Sequence, residues 1–186
     1  TAVQETEDAS SYYPDDGGYA VDETAEAGMP FYGPHAVTVP GTARGWEATV
    51  EQLGRLTLAD ALEPAIEYAT EGYPVSEVIA SYWTSAETLF TDEHAREAFL
   101  FDGESPSAGE EVTLPQLGRS MKRIAENGAD AVYEGEIAEA IADEIQSGGG
   151  FMTVDDLAAF EVEWPEPIST TYNGAEVYEL PPNNQG

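Results

Sequence analysis

The chain has 186 residues and no cysteine, and it carries 37 acidic against six basic side chains, a formal net charge of −31. The length suffices for one domain with a real core or for one slice of a larger domain. The missing thiols exclude disulfides and thiol chemistry, and the charge disfavours binding to nucleic acid or to an anionic membrane. No apolar run approaches the roughly 20 residues of a transmembrane span. The opening Thr1-Ala2-Val3-Gln4-Glu5 has neither the basic start nor the apolar stretch of a secretory signal.

The acids are not gathered in one tail. They occupy the polar faces of helices that also carry regular apolar stripes. The bases are Lys122 and five arginines at 44, 55, 96, 119 and 123. Self-repulsion on this scale destabilises a compact chain in dilute buffer and is screened in molar salt, where the Debye length falls to about 3 Å. The charge therefore predicts a halophilic protein, placed in a salt-rich cytoplasm or in an extracellular brine. An acidic nucleic-acid mimic would concentrate its acids on one face, and the even spread argues against it.

Residues 1–36 read as an irregular acidic arm, mixing turn residues with tyrosines around Ser10 to Tyr19 without a period. A Pro-Gly corner follows at Pro40-Gly41-Thr42-Ala43-Arg44-Gly45, then a helix that breaks at Gly54. Thr57 with Asp60 forms a variant capping box. Leu58, Ala61, Leu62, Ala65, Ile66 and Ala69 then make one apolar stripe. Pro64, inside that stripe, is expected to bend the helix or to begin a new one, and Gly72 and Pro74 stop it. Ser76 caps the next helix, whose stripe is Ile79, Tyr82, Trp83, Ala86, Leu89 and Phe90. Another helix over Leu114 to Glu126 ends at Asn127-Gly128. A further one carries Ile137, Ala138, Ile141, Ala142 and Ile145 and stops at Gly148-Gly149-Gly150. Thr153 caps a short helix with Asp156 at its third position, and Leu157 and Phe160 face inward.

After Phe160 the pattern changes. Ile168 to Tyr172 and Ala175 to Leu180 flank Asn173-Gly174, the favoured pair for a type I′ hairpin turn. A lone hairpin is marginally stable, and these strands need a sheet that the sequence does not otherwise supply. Together with the start at Thr1, this gives the expectation that the chain is part of a longer protein.

Residue chemistry offers little catalysis. His94 and Glu97 sit one helical turn apart, but no second histidine lies nearby to complete a metal shell. There is no Gly-x-Ser-x-Gly elbow, and Gly148-Gly149-Gly150 follows a helix rather than a strand, so it is a helix stop and not a phosphate loop. Acid pairs such as Asp155-Asp156 and Glu110-Glu111 are common by chance in so acidic a chain. Trp46, Trp83 and Trp164 read as core or interface anchors. On these grounds the chain is a scaffold with no metal and no cofactor.

Four blocks in order resemble the large subunit of the gamma-glutamyltranspeptidase family of N-terminal-nucleophile hydrolases: Val39-Pro40-Gly41 to Gly45-Trp46, Leu62 to Val75, Leu117 to Gly135, and Gly150 through Tyr172 to Gly186. The Gly33-Pro34 lead-in is similar to the acylase-like branch. The resemblance implies an α+β fold, a mostly helical segment plus a C-terminal β-hairpin, forming part of an αββα sandwich. It assigns residues 37–186 to an incomplete large-subunit domain.

It also implies a precursor that cleaves itself to expose a threonine at the start of a small subunit. That threonine attacks a gamma-glutamyl amide such as glutathione, with its own amine as base and an oxyanion hole for the intermediate, and the acyl group passes to water or an amino acid. The expected partners are that small subunit, in a heterodimer, and a small gamma-glutamyl substrate, with no nucleic acid and no membrane. No catalytic residue is expected in this chain. Asn183, Asn184 and Gln185 are cleft candidates for substrate binding, because the loop after the last strand can reach the cleft of such a sandwich. The family's carboxylate-gripping arginine lies upstream of the first block. No arginine occurs here before Arg44, so it either precedes Thr1 or is absent from this branch. A non-catalytic acidic helical binding module of the same descent is the alternative reading.

Overall fold

The computed structural model describes residues 33–182, which form eight α-helices and two small antiparallel strand pairs. The helices are α1 (Thr42–Leu53), α2 (Leu58–Glu71), α3 (Glu77–Ala86), α4 (Glu93–Phe99), α5 (Pro115–Asn127), α6 (Asp130–Tyr133), α7 (Glu136–Ser147) and α8 (Val154–Ala158). The strands are β1 (Tyr73–Pro74), β2 (Glu111–Val112), β3 (Ile168–Tyr172) and β4 (Ala175–Glu179).

Local chemistry sets the helix starts. The Thr57 and Thr153 hydroxyls accept from the amides of Asp60 and Asp156, and each aspartate accepts from its threonine's amide in return. Ser76 and Asp92 cap α3 and α4 in the simpler way. Pro64 neither bends nor restarts α2, which runs unbroken past it. Asp60 and Pro64 are both exposed, so water can take the carbonyl that the missing proline N–H leaves free.

Two cores result. The larger joins Leu62 of α2, Ile124 of α5, Tyr133 of α6, Ala138, Ala142 and Ile145 of α7, and Leu157 of α8. Fully burying a side chain such as Leu157, whose exposure is 0%, stabilises by roughly 1.5–3 kcal/mol. At its centre α2 crosses α5 closely. Gly118 packs with no Cβ against Ala69 and Thr70, and the Leu114 amide donates to the Ala69 carbonyl at 2.8 Å. The smaller core gathers Val75, Ala80 and Val112 with Tyr73, Trp83 and Phe101, and the two-residue ladder between β1 and β2 closes it.

The stripe expected from Ile79 to Phe90 is corrected here. The helix stops at Ala86 and a 3-10 turn over Glu87–Leu89 follows. This small core takes in Ala80 and Trp83, while Ile79, Tyr82 and Leu89 stand exposed. Of the irregular arm expected over residues 1–36, residues 1–32 lie outside the described residues and 33–36 lie within them. Pro34–Ala36 form a 3-10 turn, with Pro34 beside Gly148 and Gly150 and His35 beside Phe151. A Cβ on Gly150 would lie 2.5 Å from the Ile145 side chain and 3.0 Å from Pro34, so this glycine run serves close packing as well as helix termination.

The hairpin matches its sequence signal. Asn173 and Gly174 both have positive φ, at 51° and 82°, as a type I′ turn requires. The register pairs Tyr172 with Ala175 and Ile168 with Glu179. All ten strand residues are exposed. Ile168, Thr170, Tyr172, Ala175, Val177 and Glu179 share one face, and no helix among the described residues covers it.

Candidate functional site

The most organised polar structure lies at the Pro40–Gly45 corner. Tyr133 is fully buried on α6, its ring stacked on Phe160 with centroids 5.7 Å apart. Its hydroxyl donates to the Pro40 carbonyl at 2.6 Å and accepts from the Arg44 amide at 3.3 Å. The corner therefore keeps its shape through a group 93 residues away in sequence. The Arg44 guanidinium lies 4.7 Å above the same ring and pairs with Asp130 and Glu47. Partial burial works against its charge, but the hydrogen bond and proximity to Asp130, then to Glu47, outweigh this and leave its pKa raised. Glu47 also accepts the Ala129 amide at 2.8 Å. Its carboxylate approaches so near Gly128, at φ 77°, that a Cβ there would lie 2.6 Å from it.

Small residues make this possible. A Cβ on Gly41 would meet the Phe160 ring at 2.9 Å. Beside it a shallow groove opens, lined by Gly41, Gly45, Phe160 and Val162 with Asp156, Glu161 and Glu163. Its charged lining is entirely acidic, so it does not suit a substrate carboxylate. Arg44 is committed to Asp130 and Glu47, which makes it a structural residue in place of a carboxylate grip.

The other residues singled out in the sequence are dispersed. Asn183, Asn184 and Gln185 lie outside the described residues, just past the exposed Leu180. His94 and Glu97 are exposed on α4, and no group of three possible metal ligands comes together among the described residues. Asp156 is occupied in its capping box, where hydrogen bonds from the Thr153 hydroxyl and amide hold its carboxyl below the ordinary range. Glu110 accepts from the Ser107 amide. The Trp83 indole donates to the Phe99 carbonyl at 2.7 Å, anchoring the small core, while Trp164 is exposed. Sequence reasoning missed the roles of Tyr133, Glu47 and Asp130. Their only signal was the juxtaposition of a Pro-Gly corner with a distant Gly-Ala-Asp segment, which spacing alone cannot pair.

The helical segment with its C-terminal hairpin is similar to solved N-terminal-nucleophile hydrolases of the transpeptidase and acylase type. The chain superposes on cephalosporin acylase from Bacillus halodurans with a TM-score of 0.79 and 38% identity, covering 86% of this chain and 31% of that one. It superposes on gamma-glutamyltranspeptidase from Helicobacter pylori with a TM-score of 0.76 and 29% identity, covering 87% and 46%. Residues 7–186 match the gamma-glutamyltranspeptidase family model, and the chain belongs to that family.

Among curated relatives, the glutathione hydrolase-like YwrD proenzyme of Bacillus subtilis is 41% identical over 81% of this chain and 29% of its own length. The glutathione hydrolase proenzyme of Escherichia coli K12 is 36% identical over 79% of this chain and 26% of its own length. The chain thus spans less than a third of the length of these relatives.

Proposed function

We propose that this chain is the large-subunit portion of an enzyme that cleaves gamma-glutamyl amides, glutathione among them, and passes the acyl group to water or an amino acid. Residues 37–186 form part of the large-subunit domain. The nucleophile is the N-terminal threonine of a small subunit released from the same precursor, and the 186 residues alone are inactive. One observation carries this reading: the Ile168–Glu179 hairpin exposes every strand residue, at the C-terminal side of a chain whose family is established. A strand pair with open edges and a face carrying exposed Ile168, Tyr172 and Val177 is completed by adding a sheet. Family membership supports the substrate class. The Arg44–Tyr133 cluster supports a scaffolding part for this chain, holding the helical wall rigid without entering the chemistry.

The test is an assay of gamma-glutamyl anilide cleavage in molar salt. The full-length protein should turn over, and the 186-residue chain should not. Replacing the threonine at the new N-terminus by alanine should abolish activity. Turnover by the 186 residues alone would refute the assignment, and a folded chain with no turnover in either form would favour a binding module.

A further inference from the structure

The chain holds two Asn-Gly pairs, and the structure places them in opposite chemical situations. Asn127 closes α5. Its side-chain amide donates to the Arg123 carbonyl at 2.9 Å, and the following Gly128 amide donates to the Ile124 carbonyl at 2.8 Å. Asn173 sits at the tip of the hairpin. It and Gly174 are exposed, and among the described residues neither the Asn173 side chain nor the Gly174 amide makes a hydrogen bond. Among the described residues, nothing covers the strands that flank it.

We infer that Asn173-Gly174 is a site of spontaneous deamidation in this protein and that Asn127-Gly128 is protected. The Gly174 backbone nitrogen attacks Asn173 Cγ. The new N–Cγ bond closes a five-membered succinimide, the Cγ–Nδ2 bond breaks, and ammonia leaves with the proton that the backbone nitrogen gives up. Water then opens the ring. Attack on one carbonyl restores a normal main chain with aspartate, and attack on the other routes the main chain through Cβ and Cγ as isoaspartate. Glycine at the following position lets the nitrogen approach because no Cβ obstructs it. At Asn127 the nucleophile and the leaving amide are both tied into helix-end hydrogen bonds that must open first.

The consequence is local and specific. Both products add a negative charge, and isoaspartate also adds a methylene to a two-residue turn whose positive φ values fix the strand register. Deamidation would therefore loosen the pairing of Tyr172 with Ala175 and slacken the hairpin from its tip. This inference rests on the turn itself and stands whether or not the proposed activity is correct.

The experiment is to hold the full-length protein, folded in molar salt at mildly alkaline pH, and to follow both Asn-Gly peptides by mass spectrometry and isoaspartate detection. Conversion at Asn173 should outrun that at Asn127 by roughly thirtyfold, the factor for opening two net hydrogen bonds. Asn173→Gly retains a turn that Gly-Gly favours and should remove the conversion in that peptide while leaving Asn127 unchanged. Equal rates at the two sites, faster conversion at Asn127, or no conversion at Asn173 would each overturn the inference.

Discussion

The Tyr133 hydroxyl donates a 2.6 Å hydrogen bond to the Pro40 carbonyl and so ties α6 to the corner that begins α1. The same oxygen accepts the Arg44 amide, so one buried atom fixes two backbone groups. Tyr133→Phe removes both partners and leaves a part-buried donor and acceptor unpaired. The expected loss is about 1–3 kcal/mol, read as a lower denaturation midpoint in molar salt. Tyr133→Ala also empties a stacked, fully buried ring site, and about 3–5 kcal/mol is expected. A Tyr133→Phe midpoint equal to that of the parent would show that the corner is held by packing alone.

Glu47 separates charge from hydrogen bonding. Glu47→Gln retains an acceptor for the Ala129 amide but gives up the ion pair with Arg44, which is partly solvated and contributes under about 1 kcal/mol. Glu47→Ala leaves the amide of the fully buried Ala129 without its partner, for an expected loss of about 1–3 kcal/mol. Equal losses in the two variants would mean that the charge, not the acceptor, matters.

The α2–α5 crossing depends on Gly118. An alanine there places Cβ 2.6 Å from Thr70 Cγ2, and overpacking costs about 1–3 kcal/mol. Helix propensity returns about 1 kcal/mol, so Gly118→Ala should destabilise. Adding Thr70→Ser removes the clashing methyl and keeps a hydroxyl that can bond the Ile66 carbonyl. The double variant should recover at least the parent's melting temperature. Failure of Thr70→Ser to rescue would place the strain elsewhere in the crossing.

The capping boxes set an acid limit. Hydrogen bonds from Thr57 and Thr153 hold the Asp60 and Asp156 carboxyls below their ordinary pKa of 3.8. A depressed folded-state value means the stabilisation is fully present above the unfolded value and is lost as pH falls through the folded one. Asp60→Asn with Asp156→Asn should be less stable at neutral pH and should show a shallower loss of stability below pH 3.8. An acid unfolding curve parallel to the parent's would contradict this.

These cases show what the sequence could and could not disclose. Thr57 with Asp60, Thr153 with Asp156 and Asn173-Gly174 were legible because each feature is closed within four residues by rules of local geometry. The pairing of Ile168–Tyr172 with Ala175–Glu179 was legible for the same reason. The Tyr133 cluster was not, because its partners Pro40, Arg44 and Phe160 come together only after α1, α6 and α8 have packed. The outward turn of Ile79 and Tyr82 was also hidden. Periodicity defines an apolar stripe, while the neighbouring elements decide which side of the helix is covered. Asn183, Asn184 and Gln185 were proposed as cleft candidates from their place after a strand, and that proposal stands on the sequence alone.

The net charge of −31 gives one further expectation. Raising salt from about 0.1 M to 1 M shortens the Debye length from about 10 Å to 3 Å, which should raise the melting temperature of the full-length protein progressively. A melting temperature independent of salt would remove the case for a high-salt setting.

The central claim is that this chain is completed by a nucleophile-bearing subunit from the same precursor. The most direct measurement is the intact mass of the full-length gene product after maturation in molar salt. Two chains whose masses place a single cut immediately before a threonine downstream of Gly186 are the expected result. One uncut chain that is nonetheless folded and active would contradict it.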